Sequence, residues 1–493
     1  MRAMPLWVGG QKHLIPDQFF DETYISKNFL KEFAPNQQGG LFDYKNLDSK
    51  YYKAILQNLF FAMLNCPITP QSKEDNRVRG FRKSDNWGQH RDANFLMRYE
   101  NLFKDPQLFL SLANKTVPFL NGGLFDCLDN KSAETPVYID GFSDNLPSAH
   151  KLIVPDYLFF GEEQGKAQDL SKFYGDKKKK QVNAKGLIDI LKTYNFTIEE
   201  NTPYDQEVSL DPELLGKVFE NLLASYNPET KTTARKQTGS FYTPREIVQY
   251  MVDESLMIYL KKEVGEELEQ EYRKLMSSNE NDLNLTNEQQ KAIIKALFGC
   301  KIIDPACGSG AFPVGVLQQM VHILRKLDEK NETWKEILIN DAITETNQAY
   351  HEATNDERAD MVSEIERNFN NDLNRPDYAR KLYLIENCIY GVDIQPIAVQ
   401  ISKLRFFISL VVEQDATNDS SDNFNIRPLP NLEAKFVAAN TLIGIERKEP
   451  QLSLFEDQEV KAKEAELKSI RHKLFSLSKL LGDNIQLKFT IFS

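Results

Sequence analysis

Ile302-Ile303-Asp304-Pro305-Ala306-Cys307-Gly308-Ser309-Gly310-Ala311-Phe312 is the stretch that decides the fold of this chain. An apolar run ends in an acid, breaks at a proline, turns through two glycines and re-enters an apolar helical pattern. This order predicts a parallel strand that presents a ligand to the N-terminus of a helix. A nicotinamide-binding turn would carry a third glycine where this chain has Pro313, so the sequence disfavours a dinucleotide site.

Two further strand patterns follow this stretch along the chain. The second, at residues 388–394, includes Asp393, and the third, at residues 434–444, is a strand with a turn that includes Asn440. A helical apolar spacing follows the second strand, and a charged, largely helical segment at about 326–380 separates the first two. Strands that alternate with helices predict an α/β fold with a parallel, doubly wound sheet, in which the charged segment is an insertion.

The sequence before the first strand predicts helices. Residues 51–64 have helical apolar spacing dense enough for burial, and residues 211–223 open with an acid and a proline before an amphipathic pattern. Thr243 is expected to cap a further helix, with Pro244 at its first position. The inner stripe of that helix is expected to comprise Ile247, Val248, Met251 and Val252.

Composition narrows the class of protein. The chain has 493 residues, a length that predicts roughly two to four domains. No apolar run approaches the ~18 residues of a membrane span, and the N-terminus has no signal-peptide pattern, so a cytoplasmic protein is expected. Five scattered cysteines and six histidines without a metal-ligand spacing argue against a disulfide framework and a metal site.

The charge pattern leaves a nucleic-acid partner open. The net charge of −12 argues against such a partner when it is taken alone. Two local segments are nevertheless basic, at residues 77–83 and 177–180, although each also fits a solvated loop. Charge therefore neither supports nor excludes DNA.

Residues 304–312 resemble motif I of the amino-group DNA methyltransferases that use S-adenosylmethionine. Phe241-Tyr-Thr-Pro244 resembles their motif X, residues 390–398 (Tyr-Gly-Val-Asp-Ile-Gln-Pro-Ile-Ala) their motif II, and Asn440-Thr-Leu their motif III. Motif X before motif I resembles the γ arrangement, which is typical of enzymes that methylate the exocyclic amine of adenine. The resemblance implies a Rossmann-like methyltransferase core, incomplete here, after a mainly helical N-terminal region.

Further similarity narrows the subfamily. Residues 214–220 and Asn121-Gly-Gly-Leu-Phe125 resemble segments of large Type IIG restriction–modification proteins and BREX-type methyltransferases. The resemblance extends over residues 110–446. It implies double-stranded DNA as a partner, with restriction or defence-system subunits as further candidate partners.

The resemblance also implies a site for S-adenosylmethionine. Asp304 is expected to receive the methionine ammonium, Asp393 the ribose hydroxyls and Asn440 the adenine edge, with Ile394 on the adenine face. Alternatives stay open: either acid can cap the segment that follows it, Asn440 can be a turn residue, and Tyr242 can be a core aromatic. The full expected set is Tyr242, Thr243, Pro244, Asp304, Pro305, Ala306, Gly308, Gly310, Phe312, Asp393, Ile394 and Asn440.

Residues that would hold the methyl acceptor are not found in the sequence. Adenine methyltransferases of this kind flip the base and bind its amine with Asn/Asp-Pro-Pro-Tyr/Phe, and the chain lacks this tetrapeptide. Asn227-Pro-Glu-Thr lacks the second proline, and residues 374–378 lie before motif II. Pro155-Asp156 is followed by Glu and Lys at the wrong spacing for a nuclease. No catalytic residue and no metal ligand are therefore predicted.

Three regions are expected from these patterns. They are a mainly helical N-terminal region at 1–205, a cofactor-binding core at 206–450 and a helical, truncated tail at 451–493. The expected function is adenine-specific DNA methylation in a restriction–modification or phage-defence system, with this chain as the cofactor-binding portion. Two alternatives stay open: an inactive fragment that binds only cofactor or DNA, and a methyltransferase that acts on protein or on small molecules.

Overall fold

The computed structural model describes the chain in segments. These are residues 14–35, 49–68, 77–82, 95–120, 153–160, 171, 177–180, 186–193, 243–277, 280, 282–339, 363, 366–369, 375–427, 432 and 435–443. The described residues divide into two compact units, an N-terminal unit drawn from 2–209 and 416–429 and a C-terminal unit drawn from 210–415 and 430–459. The helices predicted at 211–223 and in the tail at 451–493 lie outside the described residues.

A buried π-helix, Tyr51–Met63, lies at the core of the N-terminal unit. Its predicted helical character is confirmed. The Asp156 carboxylate accepts the Tyr51 N–H at its start, over 2.8 Å, and the Arg79 guanidinium donates to the Met63 carbonyl at its end, over 2.7 Å. An acid at the first turn and a base at the last turn complement the helix dipole and satisfy groups that the helix leaves unpaired.

A small parallel sheet in this unit is not predicted by the sequence pattern. Its strands are β1 (Val78–Phe81) and β2 (Phe95–Met97). Strands of three or four residues are too short to establish a periodicity of two, and this explains the omission. The other elements of this unit are short helices at Asp17–Phe19, Glu22–Tyr24, Ile25–Phe29, Glu100–Leu102, Pro106–Asn114, Tyr157–Phe160, Lys177–Lys180, Leu187–Thr193 and Ser420–Asn425.

The basic segment that begins at Arg77 serves the fold of the N-terminal unit. Arg79 is 7% exposed and donates to three backbone carbonyls. Arg77 lies over the Phe119 ring, 5.3 Å from its centroid, and the Arg82 guanidinium donates to the Phe95 carbonyl. These arginines are therefore engaged with their own chain, which a solvated loop would not require.

The C-terminal unit contains a three-stranded parallel sheet. Its strands are β3 (Ile302–Asp304), β4 (Ile389–Asp393) and β5 (Phe436–Ala438), in the order β3-β4-β5. These strands lie where the sequence predicts them. The longer helices of this unit are α1 (Arg245–Glu263), α2 (Glu269–Met276), α3 (Asn287–Gly299), α4 (Ala311–Leu327), α5 (Pro376–Asn387) and α6 (Pro396–Val411).

Local sequence explains where several of these helices begin. Proline occupies the first position of α5 and of α6, where its missing N–H costs nothing. A capping box starts α3, because Thr286 and Gln289 each accept the other's backbone N–H. The predicted helical insertion at about 326–380 is seen at 332–339 and in α5, whereas 340–362 lie outside the described residues.

The expectation for α1 is partly wrong. The helix begins at Arg245 after Pro244, and no side chain caps it, so Thr243 does not have the predicted capping role. Val248 and Val252 are buried as expected, but Ile247 and Met251 are each 49% exposed. α4 determines which side of α1 is buried. The two helices pack so closely at Val248 that a Cβ atom added to Gly315 of α4 would lie only 2.6 Å from a Val248 methyl group.

The described helices cover one face of the parallel sheet. The Phe436 ring on that face packs against Phe406 of α6, with ring centroids 4.8 Å apart. The connection from β3 to β4 and the connection from β4 to β5 run in the same direction along the sheet. Connections of this kind are ordinarily right-handed, and two of them then place their helices on the same face. On the other face Ile303 is 65% and Val437 is 42% exposed.

The α/β class is therefore confirmed as a mixed fold with a parallel sheet. Among the described residues, helices on the second face, which a doubly wound sheet requires, are not seen. Every described helix is also too short or too polar to pass through a bilayer.

Candidate cofactor-binding site

The carboxyl ends of the three parallel strands bring the predicted polar residues to one edge of the sheet. Asp304 is the last residue of β3, Asp393 is the last residue of β4, and Asn440 follows β5 by two positions. The Ala439 N–H donates to the Asp393 carbonyl over 2.9 Å, which ties the third strand end to the second. Ligands of open α/β sheets bind at this edge.

The glycine turn between β3 and α4 requires its two glycines. The φ angles of Gly308 and Gly310 are 53° and 85°, in the left-handed region that disfavours side chains. Gly310 also lies against α6, where an added Cβ atom would come within 2.9 Å of the Ser402 hydroxyl oxygen. The turn thus needs glycine for its backbone conformation and for a close approach between segments.

Asp393 holds the glycine turn and the start of α6 at once. Its Oδ2 atom accepts the Gly308 N–H over 2.9 Å, and its Oδ1 atom accepts the Gln395 N–H over 2.8 Å. Asp393 thus accepts the N–H of Gln395, which precedes the first turn of α6, but no side chain caps α6, so the alternative that this acid caps its following helix is not realised. Each carboxylate oxygen has two acceptor positions, so Asp393 retains the capacity to accept from a ligand diol.

Asp304 has one oxygen in use and one without a partner. Its Oδ1 atom accepts the Ala306 N–H over 3.0 Å, which is the predicted capping alternative, whereas Oδ2 is buried and makes no hydrogen bond. Burial, followed by the nearby charge of Asp393, raises the pKa of the Asp304 carboxyl above its usual value. A buried acceptor without a donor is costly, and a cationic donor such as an ammonium group relieves both the desolvation and the repulsion.

Cys307 lies between the two acids, and the motif-based expectations did not include it. Burial and the charges of Asp304 and Asp393 raise the pKa of the Cys307 thiol to about 12. The thiol is therefore protonated at neutral pH and is not a nucleophile. It packs beside Gly391, where an added Cβ atom would lie 3.0 Å from Sγ and 2.6 Å from the Phe436 ring.

The turn after β5 completes the edge. The Asn440 side-chain oxygen accepts the Leu442 N–H over 3.0 Å, so the alternative of a turn residue is realised. The Thr441 hydroxyl donates to the Pro305 carbonyl over 3.2 Å and connects this turn with the glycine turn. Ile394 is 63% exposed beside them, which leaves an apolar surface available to a flat ligand.

The positions of the other expected site residues say less about a ligand. Pro305, Ala306 and Phe312 belong to the glycine turn and the start of α4, and Tyr242 lies outside the described residues. Thr243 and Pro244 precede α1, which packs on α4 beside the sheet edge. A small cleft between these helices is lined by Arg245, Val248, Gln249, Ala311, Val314, Gly315, Gln318 and Arg405.

Two residues of α6 contact the glycine turn and were not predicted. The Ser402 hydroxyl donates to the Gly308 carbonyl and the Arg405 guanidinium donates to the Ser309 carbonyl, each over 3.0 Å. The available signal is a pair of polar residues three positions apart in an apolar helix. Spacing alone does not show that this pair faces a turn more than 90 residues earlier in the chain.

Comparison with known proteins gives two matches. Residues 387–489 match the Eco57I restriction-modification methylase family, and this span includes β4, α6 and β5. A protein of Methanocaldococcus jannaschii, described as a candidate type II restriction enzyme and methyltransferase, is 25% identical over 437 residues. The match covers 84% of this chain but 26% of that relative, so the chain spans about a quarter of the relative's length. Both matches support a relation to restriction–modification methylases.

Proposed function

We propose that this chain is the cofactor-binding portion of an S-adenosylmethionine-dependent DNA methyltransferase of the restriction–modification type. The observation that carries the proposal is the partnerless, buried oxygen of Asp304 beside Asp393, across a glycine turn at the carboxyl edge of a parallel sheet. The match of residues 387–489 supports the same reading, because it includes the second acid and the third strand.

The residues at this edge fit the groups of the proposed cofactor. Asp304 would bind the ammonium, and the diol would donate to Asp393. The turn leads directly into α4, a helix long enough to place a positive dipole end near the cofactor's carboxylate. Ile394 and the turn at Asn440 would receive the adenine. When bound, S-adenosylmethionine supplies an electrophilic methyl group on a sulfonium.

The acceptor is proposed to be the exocyclic amine of adenine in duplex DNA. The order of the motifs, with Phe241-Tyr-Thr-Pro244 before Asp304, supports adenine as the base. The family and the relative support DNA as the substrate and a restriction function as its setting. Such a protein works in the cytoplasm, with restriction or defence-system subunits as candidate partners.

No catalytic residue is assigned in this proposal. The sequence contains no Asn/Asp-Pro-Pro-Tyr/Phe tetrapeptide. Cofactor binding without methyl transfer is the alternative, which the matches to methylases do not favour.

Incubation with methyl-labelled S-adenosylmethionine and adenine-containing duplex DNA tests both candidates. Equilibrium dialysis should show labelled cofactor bound to the folded protein, and unlabelled S-adenosylhomocysteine should compete for it. Failure of the folded protein to bind the cofactor would overturn the proposed function, whereas label in DNA would refute binding without transfer.

A further inference from the structure

The helix that follows the second acid carries two polar side chains toward the glycine turn. Most buried side chains of α6 are apolar, and Ser402 and Arg405 are among its few buried polar residues, at 0% and 1% exposure. A buried guanidinium and a buried hydroxyl are costly unless each is hydrogen-bonded. Both donate to the turn, Ser402 to the Gly308 carbonyl and Arg405 to the Ser309 carbonyl.

The contacts divide between the two sides of the turn. The Cys307 and Gly308 N–H groups are held by β4, through the Val392 carbonyl and the Asp393 carboxylate, each over 2.9 Å. The carbonyls of Gly308 and of the next residue are held by α6. These four backbone groups of the turn are therefore held by segments that follow β3 by more than 80 residues.

We infer that Ser402 and Arg405 are positioning residues for the cofactor-binding turn, an inference that rests on the proposed cofactor. Both side chains belong to α6 and donate to backbone carbonyls of the turn. They act through the backbone, since Gly308 is held on its carbonyl by the Ser402 hydroxyl and on its N–H by the Asp393 carboxylate. These two groups flank the Gly308 Cα, so loss of the hydrogen bond to the carbonyl loosens the φ and ψ angles that aim the N–H at Asp393.

The chain offers a matched control on the same helix. Ser409 is buried like Ser402, at 6% exposure, but its hydroxyl donates to the Phe406 carbonyl within α6. Ser402→Ala and Ser409→Ala therefore remove the same buried group from the same helix. Only the first substitution leaves a carbonyl of the glycine turn without its donor.

Calorimetric titration with S-adenosylmethionine tests the inference. Ser402→Ala should weaken binding about tenfold, because a buried acceptor loses its partner, and Ser402→Thr should restore most of it. Ser409→Ala should leave the affinity unchanged. Equal weakening by both alanine variants, or none by Ser402→Ala, would overturn the inference.

Arg405→Lys, which keeps the positive charge but loses the planar guanidinium, should weaken binding of S-adenosylmethionine in the same way.

Hydrogen exchange separates this inference from the proposed cofactor. Without any ligand, Ser402→Ala should speed amide exchange at Cys307, Gly308 and Gly310, and Ser409→Ala should not. If the unsubstituted protein binds no S-adenosylmethionine, the proposed function fails, while the exchange result still shows whether Ser402 holds the turn. Unchanged exchange in Ser402→Ala would contradict the positioning role whatever the ligand.

Discussion

At the scale of single residues, the carboxylate of Asp304 is suited to binding a cationic ligand, and without a ligand it is only partly hydrogen-bonded. One oxygen is buried without a donor, and the pKa of the group is raised by burial and by Asp393. Asp328 is the contrasting acid, because its two oxygens accept the Glu332 and Trp334 N–H groups at the start of the helix at 332–339. One acid is thus satisfied by its own chain and the other is not.

Asp304→Asn should stabilise the free protein and weaken cofactor binding. Removal of an unpaired buried charge should raise the free energy of unfolding by about 1 kcal/mol, and loss of a charge-assisted hydrogen bond should weaken binding roughly tenfold to hundredfold. Denaturant unfolding and calorimetry measure the two effects. Asp328→Asn is the control and should lower stability. A fall in stability for Asp304→Asn would show that its second oxygen has a partner.

Cofactor affinity should depend on pH through Asp304. The raised pKa means that the carboxylate takes up its proton at a higher pH than an ordinary aspartate. Binding of an ammonium should therefore weaken as the pH falls through that value, while the free protein gains stability over the same range, because the folded state binds the proton more tightly. Titrations with the cofactor at successively lower pH should show this decrease in affinity in the unsubstituted protein. The decrease should be absent from Asp304→Asn.

The sequence predicts the residues of the site better than their contacts. Acids at strand ends and glycines in the turn are local patterns, and the structure brings Asp304, Asp393 and Asn440 to one edge. The contacts of Ser402 and Arg405 with the turn join positions far apart in the chain, so spacing does not reveal them. The predicted buried side of α1 shows the same limit of sequence spacing. Ile247 and Val248 are both apolar, and only packing against α4 determines which of them is buried.

At the scale of elements, the three-stranded sheet has two unlike faces. Ile389 of β4 is 0% exposed on the face that the helices cover, whereas Ile303 of the neighbouring β3 is 65% exposed on the other. Parallel sheets are ordinarily covered on both faces. The order of strands explains the covered face, because successive right-handed crossovers from β3 to β5 place their helices together.

Ile389→Ala should cost far more stability than Ile303→Ala. The first leaves a cavity beneath the helices and should lower the free energy of unfolding by about 2–5 kcal/mol. The second removes a side chain already in water and should cost about 0.5 kcal/mol or less. Urea unfolding of the two variants gives the comparison. Equal costs would mean that the second face is covered by something beyond the described residues.

Gly391→Ala should loosen the junction of β4 and β5. The added methyl group would lie 2.6 Å from the Phe436 ring and 3.0 Å from the Cys307 sulfur, so about 1–3 kcal/mol of stability should be lost. Phe436→Leu in the same chain should recover part of the loss. Gly299→Ala is the control: nothing lies within 4 Å of that position in α3, and alanine there should stabilise by about 0.5–1 kcal/mol. A neutral Gly391→Ala would contradict the close packing.

At the scale of the whole molecule, the two units differ in how well the sequence predicts them. The C-terminal unit contains the sheet edge and most of the predicted site residues. The sequence predicts a mainly helical N-terminal unit and leaves open whether its basic segment is a solvated loop; the structure shows Arg79 buried inside the fold and a small sheet. The buried arginine was not predictable from composition, because a run of basic residues looks the same in the sequence whether its members face water or backbone carbonyls.

The most direct test of the central claim is a calorimetric titration of the folded full chain with S-adenosylmethionine and, separately, with NAD. We expect one molecule of S-adenosylmethionine to bind per chain and NAD not to bind, because the turn has two glycines and a proline at position 313. Asp304→Asn should bind S-adenosylmethionine more weakly in the same titration. A folded chain that binds no S-adenosylmethionine, or that binds NAD in its place, would contradict the assignment of this sheet edge.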